Sequence, residues 1–178
     1  MKFKETEIQG LFEIELFHAK DERGSFTKTF HKSTFDKQGL DSSFDESFFS
    51  TNNRGVIRGM HFQNPPYDHS KIVYSASGRI MDVILDIRSA SPSYGRYVQI
   101  EISSDNHKGI YMPKGVAHGF CCLTEATMIY LTSTEYNAEH ESGIKWNSFG
   151  FDWPVDSPII SERDQEFVSL SEFKSPFK

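Results

Sequence analysis

The chain has 178 residues, 37% of them hydrophobic and 25% charged, with a formal net charge of −6. This length suffices for one domain with a sizeable core, and the composition is that of a soluble globular protein. The acidic balance excludes a general electrostatic pull toward nucleic acid or an anionic membrane surface, so any bound phosphate must be met by local cations.

The N-terminal MKFKETEIQG carries no apolar run of signal-peptide length, and no stretch is long enough to span a membrane. A cytoplasmic protein is expected. The first clear element is LFEIELF, where Phe12, Ile14 and Leu16 alternate with Glu13 and Glu15, the period of a half-buried strand. A turn signal follows at Asp21 to Gly24, and a short helix is predicted after Ser33 in STFDKQG.

GVIRGMHFQ, Gly55 to Gln63, then places a cation (Arg58), a hinge-like Gly59 and a titratable base (His61) in strand-like sequence, with Lys71 opening the next strand. One imidazole with two nearby cations suits proton abstraction from an anionic substrate. RIMDVILDI sets Met81, Val83, Leu85 and Ile87 on one face and Asp82 and Asp86 with Ile80 and Ile84 on the other. Ser77-Gly78 and Ser91-Pro92 mark turns. YVQIEIS alternates Val98, Ile100 and Ile102 with Gln99 and Glu101, and TMIYLTST alternates Thr127, Ile129 and Leu131 with Met128, Tyr130 and Thr132.

Cys121 and Cys122 are adjacent, poorly placed to bridge each other, and read as small buried thiols of a reducing compartment. A second short helix is predicted after Ser161, where Ser-x-x-Asp resembles a capping box, and Lys174 to Lys178 are expected to fray. No repeat or linker interrupts the chain. The prediction is one all-β domain over residues 1–178, an antiparallel sandwich or jelly roll with a few short helices.

Pro113-x-Gly115-x-x-His118 in GIYMPKGVAHGF looks like the second half of the cupin signature, which predicts a turn delivering His118 onto a strand inside a barrel. Metal-binding cupins also carry His-x-His with a following Glu. Here that place reads His61-Phe62-Gln63, His69 lies in the loop NPPYDHSK, and no Glu precedes the strand at Ile80. A transition metal wants three or four converging ligands, so no metal is expected.

Over nearly its full length the chain resembles the dTDP-4-dehydrorhamnose 3,5-epimerases, which are cupins. The resemblance is carried by DERG (Asp21 to Gly24), RGMHFQ (Arg58 to Gln63), Lys71, GRIMDVILDIR (Gly78 to Arg88), SPSYG (Ser91 to Gly95) and PKGVAHGF (Pro113 to Phe120). It continues through Tyr130, GIKWN (Gly143 to Asn147), FDWP (Phe151 to Pro154) and PIISERD (Pro158 to Asp164). Each motif is weak alone; their order and spacing are specific.

The resemblance implies a cupin-type double-stranded β-helix, a homodimer, and epimerisation at C3 and/or C5 of a nucleotide-linked 4-keto-6-deoxy sugar through an enolate, needing no cofactor, in surface polysaccharide synthesis. It implies His61 as base, Asp164 as its orienting partner, Tyr130 as acid on the far face and Lys71 at the enolate oxygen. Arg58 and Arg23 would meet the pyrophosphate; His118, Phe26 and Gln63 would be further substrate contacts.

Each residue also has a plainer reading. Asp164 could be a helix-capping carboxylate, in conflict with orienting a histidine. Tyr130 could be core packing, His118 a brace of its turn, Lys71 a solvated strand end and Arg23 an ordinary turn residue. His31, His107 and His140 show no constellation and are expected at the surface, and the sixteen phenylalanines are expected mainly in the core. Ligand-reading positions depart from the family. Lys28 stands where dTDP-specific members have glutamate, Glu135-Tyr136 replaces two tyrosines, and Glu46-Ser47-Phe48-Phe49-Ser50 replaces Gln-Asp-Asn-His-Ser. A different nucleotide, or inversion at one carbon only, is therefore open. The rivals are a sugar-nucleotide 3,4-ketoisomerase, a non-catalytic sugar-nucleotide-binding cupin and a metal-dependent cupin oxygenase.

Overall fold

The computed structural model describes residues 1–178. Thirteen strands follow one another: β1 (Lys2–Glu5), β2 (Phe12–Glu15), β3 (Phe17–Asp21), β4 (Gly24–Lys28), β5 (Glu46–Asn52), β6 (Ile57–Gln63), β7 (Lys71–Ser77), β8 (Arg79–Asp86), β9 (Tyr97–Ser103), β10 (Lys108–Met112), β11 (Val116–Cys122), β12 (Ala126–Thr132) and β13 (Glu141–Gly143). Helix α1 (Lys32–Lys37) lies before β5, and α2 (Glu162–Glu166) lies near the C-terminus.

The strands build a six-stranded sheet in the order β1-β2-β10-β7-β12-β5 and a five-stranded sheet in the order β13-β6-β11-β8-β9, all antiparallel. Consecutive strands β7 and β8 fall in different sheets, as do β11 and β12. This is the predicted cupin-type jelly roll. β3 and β4 stand apart as a hairpin whose turn is the predicted Asp21–Gly24, with Asp21 Oδ1 accepting from the Arg23 N–H at 2.9 Å.

Half-burial undercounts the packing of these strands. Ile80 and Ile84 join Val73, Val98, Ile100, Phe120, Met128 and Tyr130 in the core between the sheets. The opposite face of β8, with Val83 and Leu85, is covered in its turn by Ile144, Phe151 and Phe177. On the far side of the six-stranded sheet, Ile14, Leu16 and Ile72 pack under Phe35 of α1. The C-terminal tail does not fray. Phe177 is buried, and its carbonyl accepts from the Ser89 N–H at 3.0 Å and the Ser89 hydroxyl at 2.7 Å.

α1 starts one residue before Ser33, with His31 in the N-cap place and no side-chain cap. So short a helix is marginal alone; Phe35, fully buried, ties it to Phe3, Phe30 and Tyr111. Gly59 is no hinge. Its φ is +128°, and a Cβ there would strike the backbone of Gly119, so glycine lets β6 and β11 close up. Cys121 and Cys122 are buried and unbridged, as expected. Of the three unassigned histidines only His31 is exposed; His107 and His140 are half-buried, His107 stacked on His18 and His140 tilted against Tyr67. Phe35, Phe62, Phe120, Phe151 and Phe177 fill cores, but Phe17, Phe26, Phe48 and Phe49 stay exposed.

Candidate active site

Register decides what the pocket contains. In the five-stranded sheet His61 of β6 lies directly opposite His118 of β11, and His118 opposite Ile84 of β8. In the six-stranded sheet Tyr130 of β12 lies between Phe48 of β5 and Val73 of β7, while Lys71 pairs with Thr132. A cavity of about 270 Å³ is lined from both sheets, by His61, His118, Arg58 and Gln63 on one side and Lys71, Tyr130, Phe48 and Ser50 on the other.

The chain segment before α2 runs beside β6, with the Ile57 N–H donating to the Ile159 carbonyl and the Ile159 N–H to the Gly55 carbonyl, both at 3.0 Å. That alignment delivers Asp164 behind His61. His61 Nε2 lies 2.9 Å from Asp164 Oδ1, and the Gly59 N–H donates to Oδ2 at 3.0 Å. The pairing assigns the hydrogen to Nε2 and leaves the Nδ1 lone pair as the basic site. Burial alone would raise the Asp164 carboxyl. The hydrogen bond and charge of His61, the Gly59 N–H and the Arg163 cation outweigh it and hold the group well below the usual carboxylate range. The apparent conflict over Asp164 dissolves because its two halves act separately. The backbone N–H donates to the Ser161 hydroxyl at 3.2 Å and completes the cap, while the carboxylate faces His61.

Lys71 lines the pocket, half-buried; burial lowers its ammonium to about 8, although the Asp82 and Glu141 charges act the other way. Burial likewise drives the Tyr130 hydroxyl upward, so it is firmly protonated at neutral pH. His118 is buried and donates from Nε2 to Asp82 Oδ2 at 3.0 Å. Burial lowers the imidazole and raises the carboxyl, so this pair disfavours charge on both partners. His69, also on the pocket wall, is brought down to about 3 by burial and by the charges of Lys71, Lys114 and His118.

Three expected contacts do not offer free polar or aromatic groups to this chain's own pocket. Gln63 is buried and already committed: its Oε1 accepts from the Asn137 N–H at 2.6 Å and its Nε2 donates to the Tyr67 carbonyl at 2.8 Å. It braces the loops at the pocket wall. Arg23 and Phe26 sit on the β3–β4 hairpin outside the lining of this pocket. Arg23 pairs with Asp21 at 2.6 Å, and Phe26 is 58% exposed. Sequence reasoning also missed two residues. Asp82 was visible as a carboxylate sharing a strand face with Ile80 and Ile84, a place where an unpartnered charge is costly. Arg163 adjoins Asp164. Its Nη1 donates to Glu141 at 2.9 Å and its Nη2 stands 3.1 Å from His61 Nε2. Since the Asp164 pairing occupies that nitrogen's hydrogen, the Arg163 contact acts as a charge beside the ring.

A base and a protonated hydroxyl on facing walls, with an ammonium on the strand beside the hydroxyl's, can move protons across a bound carbon acid. The family model for dTDP-4-dehydrorhamnose 3,5-epimerase matches residues 5–172. The Shigella flexneri dTDP-4-dehydrorhamnose 3,5-epimerase is 37% identical over 97% of this chain and 99% of its own. The Streptomyces niveus dTDP-4-dehydrorhamnose 3-epimerase is 32% identical over 97% and 85%. The Legionella pneumophila dTDP-6-deoxy-D-glucose-3,5-epimerase, solved with dTDP-4-keto-L-rhamnose, superposes with a TM-score of 0.94 at 30% identity, covering 99% of this chain and 98% of that one. A shared fold, a full-length match and this pocket together place the chain, an isomerase, in the dTDP-4-dehydrorhamnose 3,5-epimerase family.

Proposed function

We propose that the pocket epimerises a dTDP-linked 4-keto-6-deoxy sugar at C3 and/or C5, supplying a deoxyhexose for surface polysaccharide. The observation that carries this reading is the placement of the His61–Asp164 pair and Tyr130 on opposite sheets around one cavity. The sugar ketone acidifies its neighbouring C–H bonds. His61 Nδ1 takes such a proton, Asp164 stabilising the imidazolium that forms. Lys71 meets the charge growing on the C4 oxygen, where electrostatic help matters most. Tyr130 returns a proton from the other face, which inverts the carbon. Arg58, exposed at the pocket and free to turn guanidinium hydrogens outward, suits the pyrophosphate.

Incubation with dTDP-4-keto-6-deoxyglucose in deuterated water tests the reading. Wild-type protein is expected to wash deuterium into the ring, and His61→Ala to abolish exchange by at least about 10²-fold while keeping its fold. Undiminished exchange in the variant would remove His61 as the base. Label at both C3 and C5 identifies a double epimerase. Label at one carbon identifies a single-centre enzyme.

We propose a homodimer as part of the same reading. Arg23 and Phe26 do not reach their own pocket, and they share an exposed hairpin with Phe17. A second chain is where they would act. No helix is long and apolar enough to cross a membrane, and a sugar-nucleotide substrate fits a cytoplasmic site.

A further inference from the structure

Two polar residues that the mechanism above leaves idle, Asn52 and Ser50, connect Arg58 to Tyr130 in a row beside the pocket. The Arg58 Nε–H donates to Asn52 Oδ1 at 2.7 Å, Asn52 Nδ2 donates to Ser50 Oγ at 3.0 Å, and Ser50 Oγ lies 3.1 Å from the Tyr130 hydroxyl. The row crosses three strands, from β6 through β5 to β12. Asn52 and Tyr130 are buried, and Ser50 is half-buried.

The direction of this row is fixed by chemistry. A guanidinium only donates, so the Asn52 oxygen must face Arg58. The Asn52 amide nitrogen lies 3.2 Å and 3.3 Å from the carbonyls of Ser50 and Ala126, which only accept. The two amide hydrogens of Asn52 are shared among three acceptors, of which the Ser50 hydroxyl oxygen is the nearest at 3.0 Å, and since the amide nitrogen cannot accept, the Ser50 hydroxyl keeps its own hydrogen for the Tyr130 oxygen. The Tyr130 hydrogen is then free to point into the pocket. The ring that carries it is held on two sides. Phe48 stacks on it at 4.6 Å and 13°, and His118 meets its edge side at 6.4 Å and 62°.

We propose, resting on the epimerase reading, that Asn52 is a positioning residue that sets the polarity of an Arg58–Asn52–Ser50–Tyr130 relay, keeping the acid's hydrogen aimed at the substrate. When the Tyr130 O–H bond breaks and the new C–H bond forms, the phenolate oxygen retains the Ser50 hydrogen bond, backed by the Arg58 charge. Without that donor a buried phenolate is poorly held. Water reprotonates Tyr130 before the next turnover, and His61 releases its proton to solvent.

Asn52→Asp is the discriminating variant. It keeps size and the Arg58 contact, but a carboxylate cannot donate. The Ser50 hydroxyl must then donate to residue 52 and accept from Tyr130, which ties up the acid's hydrogen. His61, Lys71 and Asp164 are outside this row, so at saturating substrate, where a weaker Arg58–pyrophosphate contact shows only in KM, exchange of substrate C–H for deuterium should stay within about threefold of wild type. The ratio of inverted product to exchange events should fall at least tenfold, toward that of Tyr130→Phe. A merely structural role would lower both rates together and leave the ratio alone. Because Asn52→Asp also deprives two carbonyls of their donor, Ser50→Ala provides a second arm, and the same fall in ratio is expected. An unchanged ratio in a folded variant, with wild type active, overturns the relay alone. Wild-type protein that exchanges no C–H overturns the epimerase reading and the relay with it.

Discussion

Lys71 shows how one buried group ties stability, rate and pH together. Its ammonium is lowered to about 8 from an ordinary 10.5, burial being the main cause. Because the folded value lies below the unfolded one, the unfolded chain binds the extra proton more tightly between these values. Stability gained from this group therefore rises as pH climbs through that window. Activity runs the other way, since the enolate needs the charged form. We expect kcat/KM to fall as pH rises through about 8, because burial keeps Tyr130 protonated far above that point. Lys71→Arg should carry the falling limb beyond pH 9 at a cost of roughly 10- to 100-fold in rate, since a guanidinium stays charged but fits the oxygen differently. A pH–rate profile of the two proteins decides it; coincident limbs would assign the fall to another group. At this scale only His61, with Arg58 and Lys71 close by in the chain, stood out from its local sequence, while the roles of Lys71, Tyr130 and Asp164 came from family position. Asp82 and Arg163 escaped because their partners, His118 and Glu141, are remote in the chain.

At the scale of elements, the 55–63 segment and the 158–166 segment form one unit. β6 offers Gly59 and His61 on one edge, and the chain entering α2 brings Asp164 against both. The Ser161 cap signal located the helix but could not say where the Asp164 carboxylate would turn, since that depends on a strand a hundred residues earlier. Gly59 was read as a hinge because glycine tolerates unusual dihedrals. Its other property, the missing Cβ, is the one that counts here, with β11 packed against it. Gly59→Ala combines a positive φ with a backbone collision, so it should cost roughly 3–5 kcal/mol and lower Tm by on the order of 10 °C. Calorimetry against wild type checks this; a shift under about 3 °C would mean that β6 and β11 separate easily.

For the whole molecule, period-two patterning and turn spacing were enough to name an all-β jelly roll, because alternation is a local property. Which sheet each strand joins is not local, and so the composition of the pocket was not readable except by family position. The same limit applies to Arg23 and Phe26, whose place beyond their own pocket is what the proposed homodimer rests on. We expect the protein to sediment at about twice its 20.4 kDa chain mass at micromolar concentration. A monomer would leave the hairpin aromatics Phe17 and Phe26, 48% and 58% exposed, without an occupant.

The docked C-terminus has a practical side. The ring of Phe177 belongs to the cluster that covers the outside of the five-stranded sheet, and its carbonyl is anchored to Ser89. An affinity tag or reporter fused directly at this end would pull on a seated aromatic plug, and trimming four residues would uncork the layer behind the strand that carries His61. A fusion partner belongs there only behind a spacer that lets the plug stay home.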